Sequence, residues 1–248
     1  GEVYHKRLGD LDRAREVYED ILADQADHAG AMASLQEIFA EREDWSQLTQ
    51  VLERRAAADI DPGESVTVLR RLASIRERGL GDPSGAIQAL DRAREIAPRD
   101  PEVLTELRQA LGASGDDERF VRTIELELAE FPDSDIVGLS LKAGEALRDR
   151  LGRPGDAVAW YERILAQDPG HREALGALRE LYEDLGRMDS LREVLRALVE
   201  GSADDGERLA LFDELAARSE EAGQAAEAFE FHKRAHRLAP ARADSAVA

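Results

Sequence analysis

Two histidines near the end of the chain have the spacing of a metal-binding pair. His232 and His236 are four residues apart, so both side chains would project from one face of a helix. Metalloprotease helices with this spacing carry glutamate directly after the first histidine, where this chain has Lys233. No third ligand is recognisable nearby, and we therefore predict no metal site.

Two further histidines, 143 residues apart, occupy turns that are equivalent in the internal repeat described below. His28 follows Ala26-Asp27, and His171 follows Pro169-Gly170, each just before a predicted helix. A repeated residue at a repeated turn is most simply explained by capping or packing at the start of a helix. We therefore expect a structural role for both histidines and no role in ligand binding.

The chain contains none of the common catalytic or nucleotide-binding motifs. The patterns G-x-x-x-x-G-K-[ST], G-x-G-x-x-G and G-x-S-x-G are all absent. The absence of cysteine excludes disulfides, thiolate nucleophiles, iron–sulfur clusters and cysteine-bound zinc. The 53 carboxylates produce close pairs by chance, so no general acid/base dyad can be inferred. We expect a protein that is not an enzyme and has no cofactor.

The composition indicates a strongly acidic, helical protein. Its 248 residues carry a formal net charge of −20, spread along the whole chain. Such a surface repels nucleic acid and anionic membranes, so we expect no retention on heparin or RNA. No apolar run approaches the roughly 18 residues that span a bilayer, which argues against membrane insertion. Hydrophobic residues make up 43%, enough for a core, and the low aromatic share of 5% favours helices.

The chain contains an internal repeat. An offset of 143 residues superimposes REVYEDILADQADHAGAMASLQEIF on VAWYERILAQDPGHREALGALRELY, which begin at Arg15 and Val158. Within it, Leu35 matches Leu178, and we expect Leu178 to be buried. A finer repeat follows from the first apolar residue of alternate helices, at intervals of 34 or 37–38 residues and a double period of about 71. These residues are Ala14, Leu48, Ala86, Phe120, Ala157, Leu191 and Ala228.

Local patterns predict about thirteen antiparallel helices of 12–17 residues and no strands, an all-α fold. Apolar residues step by three and four, as at Leu104, Leu107 and Leu111. Pro83 and Pro101 each follow an aspartate, as a cap and a first helical residue do. Glycines mark the turns where a left-handed residue is needed, at positions 9, 81, 115, 152, 186 and 223.

The 34-residue helix–turn–helix unit resembles the tetratricopeptide repeat family. The best match is residues 157–169, where Ala157, Tyr161, Ile164 and Pro169 hold the family's small, aromatic, apolar and proline positions. The closing proline recurs at Pro98, Pro132 and Pro240. The chain departs from the family at the small position of the first helix, which is occupied by Arg108 and Arg179 in two units.

The resemblance implies a right-handed superhelical solenoid of antiparallel helix pairs, one array over residues 1–240. The predicted units are 1–27, 28–61, 62–98, 99–132, 133–169, 170–203 and 204–240. Residues 241–248 are predicted to be a tail or the start of a truncated further repeat. The same resemblance places His232 at a core aromatic position, where packing would explain it. Trp160 is expected to pack between repeats, and Trp45 to fill a turn or to anchor a partner.

The family implies a non-enzymatic protein–protein interaction scaffold that binds a peptide or helix in a concave groove lined by first helices. The family's clamp for a terminal carboxylate depends on asparagines, which this chain lacks, so we reject it. The resemblance would direct eight polar side chains into the groove and favour a basic or amphipathic protein ligand. The alternative, that these eight side chains form only a solvated face, stays open. The eight residues are Glu37, Glu41, Glu102, Thr105, Gln109, Glu173, Glu180 and Asp184.

A second function class is a structural or oligomerising spacer. Residues 2–8 resemble half of a first helix, and residues 241–248 the start of another, so both ends lack polar caps. Self-association would give a mass that rises with concentration in light scattering. The first residue is Gly1 and no signal peptide follows, so we expect a piece of a larger bacterial protein, with a cytoplasmic location favoured.

Overall fold

The computed structural model describes residues 1–58 and 60–239, and all regular structure in this part of the chain is helical. A π-helical segment, Val3–Leu8, precedes the first α-helix, and another, Ala146–Arg150, continues the eighth. The all-α prediction is confirmed; Pro240 and the predicted tail at 241–248 lie outside the described residues. The α-helices are α1 (Leu11–Asp24), α2 (Ala29–Glu41), α3 (Trp45–Ala56), α4 (Pro62–Arg78), α5 (Pro83–Ile96), α6 (Pro101–Ser114), α7 (Asp117–Glu130), α8 (Ile136–Glu145), α9 (Pro154–Gln167), α10 (Arg172–Asp184), α11 (Met188–Gly201), α12 (Asp205–Glu221) and α13 (Ala225–Leu238).

The chain divides into two compact units, Gly1–Pro132 and Asp133–Ala248. The first unit contains α1–α7 and the second contains α8–α13. Within each unit, each helix packs on the helices that precede and follow it in the chain. We call the even-numbered helices first helices and the odd-numbered helices second helices. Each predicted repeat from residue 28 onward contains one helix of each kind, while the repeat boundaries themselves remain a proposal.

Aspartates begin many of the helices by accepting hydrogen bonds from the otherwise unpaired N–H groups of the first turn. An oxygen of Asp82 accepts from the N–H of Gly85 at 2.9 Å, and an oxygen of Asp100 accepts from the N–H of Val103 at 3.1 Å. In both cases the next residue is a proline, whose missing N–H is not needed there. The predicted Asp-Pro starts are therefore confirmed.

Left-handed residues close the helix turns. The six predicted glycines all have positive φ, between 61° and 77°. At the corresponding turn between α2 and α3 the chain has Glu43 instead, with φ 54°. A side chain with a Cβ is strained in this region, so the fold imposes at Glu43 a conformation that suits glycine.

Replacement of Glu43 by glycine is expected to raise the free energy of unfolding by about 0.5–1 kcal/mol. Relief of left-handed strain, about 1–2 kcal/mol, exceeds the added flexibility of glycine in the unfolded chain, about 0.5–1 kcal/mol. Urea unfolding followed by circular dichroism measures the change. Glu43→Ala is the control, because it removes the same carboxylate and keeps the Cβ. Equal effects of the two substitutions would show that backbone strain is not the cause.

A close helix contact in the second unit depends on a glycine. Tyr161 of α9 is 1% exposed, and its ring lies against Gly144 of α8, where a Cβ would be 2.8 Å from the ring carbon Cζ. Burial raises the pKa of Tyr161, so its hydroxyl stays neutral near pH 7. In α6, Arg108 stands at the first-helix position where the family resemblance predicts a small residue. The Nε of Arg108 lies 2.7 Å from Oε2 of Glu127 in α7.

Candidate functional site

The eight side chains proposed to bind a partner all lie on first helices. Seven of them are exposed and Thr105 is half-buried. They are divided between the two units, so the structure describes two separate sets. The set in the first unit is Glu37, Glu41, Glu102, Thr105 and Gln109, and the set in the second unit is Glu173, Glu180 and Asp184.

Arginines join neighbouring first helices in the first unit. The Nε of Arg70 in α4 donates to Glu106 of α6 at 3.0 Å, and the same guanidinium also contacts Glu102. These carboxylates, above all Glu106, raise the pKa of Arg70. The neighbouring Arg71 donates to Oε1 of Gln36 in α2 at 3.2 Å. Side chains of α4 thus reach both adjacent first helices, and the charge of Glu102 is partly neutralised.

The second unit repeats this arrangement between α10 and α12. Arg172 and Arg179 of α10 contact carboxylates of α12, and Arg218 of α12 contacts Glu183 of α10 in the reverse direction. The carboxylate partners on α12 are Glu207 and Glu214. We call these contacts the arginine bridges. Sequence reasoning considered the carboxylates alone and missed them, although pairs of arginine and glutamate recur about 35 residues apart.

Glu180 has a weaker basic neighbour on its other side. Its Oε2 lies 3.7 Å from Nη1 of Arg148, which belongs to the π-helical segment after α8. Arg148 also holds Asp149 in a hydrogen bond of 2.7 Å, and this contact lowers the pKa of Asp149 and raises that of Arg148. Because Glu180 is 75% exposed at this longer distance, its carboxylate stays accessible to a further cation.

A cavity of about 510 Å³ lies between α10 and α12, and we call it the first-helix cavity. The bridges of Arg172 and Arg179, together with Glu180 and Glu183, contribute its polar lining. Leu198 and Leu211 contribute apolar surface. Glu173 and Asp184 are on the same helix but outside this lining. Gly176 also lines the cavity, and an added Cβ at this residue would meet no heavy atom within 4 Å. A glycine inside a helix is unfavourable by about 1 kcal/mol relative to alanine, and here no packing contact requires it.

The two repeated histidines cap helices, as predicted. The Nδ1 of His28 accepts a hydrogen bond from the N–H of Ala31 at 3.0 Å, at the start of α2. The Nδ1 of His171 accepts from the N–H of Ala174 at 3.3 Å, at the start of α10. Both imidazoles therefore use an acceptor nitrogen to satisfy an N–H of the first turn.

The prediction that His232 packs in the core is wrong. Its side chain is 53% exposed, and its Nε2 lies 3.0 Å from a carboxylate oxygen of Glu220. The preceding residue, Phe231, is buried instead, and its ring stacks on Phe212 with centroids 6.3 Å apart. The buried face of α13 is therefore shifted by one residue from the position that the family resemblance assigned to His232. No cluster of three or more metal-ligating side chains is present among the described residues.

The two tryptophans differ in exposure. Trp160 is 7% exposed, with the guanidinium of Arg163 5.3 Å from its ring centroid. Trp45 is half-buried and packs on Gly79 at the end of α4. Neither indole is a freely exposed anchor. Of the helices within 1–58 and 60–239, none combines the length and apolar character needed to cross a membrane.

Comparison with known sequences gives two matches. The tetratricopeptide repeat family model matches residues 150–213, which run from the end of the π-helical segment into α12. The cytochrome c-type biogenesis protein CycH of Pseudomonas aeruginosa is 28% identical over 135 residues. That alignment covers 54% of this chain and 32% of CycH, so the chain matches about a third of that relative's length.

Comparison with solved structures identifies similar helical arrays. A chain in the structure of Naa15/Naa10 bound to HypK-THB aligns with a TM-score of 0.59 and 16% identity. This alignment covers 96% of the present chain and 36% of the other, and at this identity it shows the fold alone. The crystal structure of MamA aligns with a TM-score of 0.44 and 18% identity, over 73% of this chain and 96% of that one.

Proposed function

We propose that this chain, which matches the tetratricopeptide repeat family model over residues 150–213, binds a peptide or helix of a partner protein on its first helices. Repeats of this family are typically the non-catalytic modules of protein–protein interaction scaffolds. The observation that carries the proposal is the first-helix cavity of the second unit. Its volume of about 510 Å³ is in the range of ligand-binding clefts. The bare backbone at Gly176 gives a partner room to approach α10 closely.

The chemistry of this face favours a basic or amphipathic partner. Carboxylates outnumber guanidiniums on the exposed sides of α10 and α12, even after the arginine bridges are formed. Glu180 adds negative charge to the cavity lining, and Glu173 and Asp184 would extend the negative potential along α10 beyond it. Leu198 and Leu211 offer an apolar surface for an aliphatic or aromatic side chain. The corresponding set on the first unit would extend such binding or act separately.

The arginine bridges would also preorganise the first-helix cavity in the absence of a partner. Each bridge is a charge-assisted hydrogen bond between α10 and α12, and the bridges of Arg172 and Arg179 lie in the lining of the cavity. A partner would then meet a largely preformed surface, which reduces the ordering that binding requires. A partner's own arginine or lysine would compete with these arginines for the same carboxylates, so binding should weaken as salt rises.

The test is a pull-down from native lysate with immobilised chain, eluted with rising salt and analysed by mass spectrometry. Three proteins are compared: the natural sequence, Gly176→Leu, which fills the first-helix cavity, and Gly201→Leu. Gly201 lies at the end of α11, where an added Cβ also meets no atom within 4 Å, so it is a matched control. A partner retained by the natural sequence and by Gly201→Leu, and lost by Gly176→Leu, supports the proposal.

Two outcomes would contradict it. A partner captured equally by all three proteins binds elsewhere on the chain, and the cavity then has no part in recognition. Recovery of the chain's own parent protein alone, together with a mass that rises with concentration in light scattering, would favour the oligomerising spacer instead. A second elution series with Glu173→Gln, Glu180→Gln and Asp184→Asn combined shows whether these carboxylates contribute to the salt dependence.

A further inference from the structure

Three cavities of one kind recur between consecutive second helices. The first, about 510 Å³, lies between α1 and α3 against α2, and the second, about 290 Å³, lies between α9 and α11 against α10. The third, about 350 Å³, lies between α11 and α13 against α12. The linings of the first two correspond at the 143-residue offset of the repeat. The repeat therefore builds the same kind of pocket in both units.

Each cavity has an apolar floor from its first helix. In the first the floor includes Leu35 and Phe39, and in the second it includes Leu178 and Tyr182. The floor of the second is mostly hydrocarbon, because the Tyr182 hydroxyl is turned to Glu162, to which it donates a hydrogen bond of 2.7 Å. Burial and this contact raise the pKa of Tyr182, so the phenol remains a donor near pH 7.

The first and third cavities contain guanidinium groups of the chain itself. In the first, Nη2 of Arg54 donates to the carbonyl oxygen of Leu22 at 2.9 Å. In the third, Arg234 occupies the position equivalent to Arg54, and Arg196 adds a second guanidinium whose Cζ is 6.0 Å from the ring centroid of Phe231. An aliphatic stem on an apolar floor with a cationic head at the rim suits the chemistry of arginine.

The second cavity lacks this arginine. Ala197 stands where the other two cavities have Arg54 and Arg234, and each of the three lies six residues after the first apolar residue of its helix. Among the residues that line the second cavity in the described chain, the charged ones are Glu162 and Glu193. The pocket therefore has the same apolar floor and an acidic rim, without the built-in cation.

The carbonyl oxygen that binds Arg54 in the first cavity has an equivalent in the second cavity. Leu165 is the equivalent of Leu22, whose carbonyl oxygen binds Arg54 in the first cavity. It lies in the last turn of α9, and the residue four positions later is Pro169, which has no N–H to donate to it. A guanidinium entering the second cavity would therefore find two carboxylates and a carbonyl oxygen around an apolar floor.

We propose that the second cavity is a binding site for an arginine side chain of a partner protein, which occupies the place that Arg54 occupies in the first. The stem of the arginine would lie on Leu178 and Val194, and its guanidinium would bind the carboxylates of Glu162 and Glu193. The site is on second helices, outside the first-helix cavity. Its test is therefore separate from that of the proposed function.

The test follows backbone amide signals of the full chain by NMR while n-butylguanidinium is added. The expected result is saturable shifts at residues of α9, α10 and α11 that line the second cavity. Ala197→Arg supplies the missing arginine and should abolish these shifts, and Glu162→Gln with Glu193→Gln should weaken binding about tenfold or more. Arg54→Ala is the reciprocal variant and should create a new set of shifts around the first cavity.

Unchanged shifts in Ala197→Arg, or none in the natural sequence, would overturn the proposal. The double glutamine variant keeps the test decisive if Ala197→Arg disturbs the helix, which circular dichroism would reveal. A second titration compares acetyl-Ala-Arg-Ala-amide with free L-arginine. Tighter binding of the peptide supports a partner protein as the source of the side chain, and tighter binding of the free amino acid contradicts it.

Discussion

Replacement of Leu178 by alanine is expected to lower the free energy of unfolding of the second unit by about 2–5 kcal/mol. Leu178 lies in the middle of α10 and is 1% exposed. Its removal takes away buried methyl groups and leaves a cavity that the surrounding helices fill only in part. It also lies in the floor of the second cavity between second helices, so the loss of packing would extend to that pocket.

Urea unfolding measured by tryptophan fluorescence tests this expectation. Trp160 is buried in the second unit, and a Trp45→Phe background leaves it as the single fluorescent indole. Leu185→Ala is the control, because Leu185 lies at the end of the same helix and is 37% exposed. We expect that change to remain within about 0.5 kcal/mol. Similar losses for both variants would show that burial of Leu178 does not determine the stability of this unit.

Removal of either partner of the Arg108–Glu127 pair should lower the free energy of unfolding of the first unit by about 3 kcal/mol. Both side chains are 11% exposed, and the Nε–Oε2 distance is 2.7 Å. Glu127→Ala would leave the guanidinium of Arg108 largely out of water without its carboxylate. The pair occupies a place where a small residue would otherwise allow close helix packing, so replacement of both by Met and Leu should recover most of the loss.

A double-mutant cycle measured by urea unfolding separates the coupling energy of the Arg108–Glu127 pair from the effects of the two single substitutions. Arg108→Ala, Glu127→Ala and the double alanine variant give the coupling between the two side chains. The exposed pair of Arg99 and Glu130, with a distance of 3.0 Å and Arg99 78% exposed, is the control and should couple by less than about 1 kcal/mol. Equal coupling in the two cycles would show that burial adds nothing to the Arg108–Glu127 pair.

The parts of the fold that depend on local chemistry were predictable from the sequence. Asp82 before Pro83 marks a helix start because the aspartate accepts from the first turn and the proline has no N–H to satisfy. The turn glycines were equally clear, since few residues adopt positive φ without strain. Glu43 shows the limit of this reasoning, because the neighbouring helices impose the left-handed conformation whatever residue is present.

The parts that depend on distant side chains were not predictable in the same way. Glu102 was expected to contribute to an acidic face, yet Arg70 from another helix binds it. Which arginine reaches which carboxylate depends on the offset between first helices, and apolar spacing within one helix does not define that offset. The prediction for His232 was wrong for a related reason. The helix α13 buries Phe231 against Phe212, and the adjacent histidine is therefore exposed.

The sequential packing of the helices has a consequence for how this chain folds. Because each helix within a unit packs on the helices that precede and follow it in the chain, native contacts join residues close in sequence, and the contact order is low. The entropy lost in closing the intervening loops is correspondingly small. Folding can therefore nucleate at any helix pair and spread to its neighbours, and amide exchange should follow a gradient along each unit in place of one global opening.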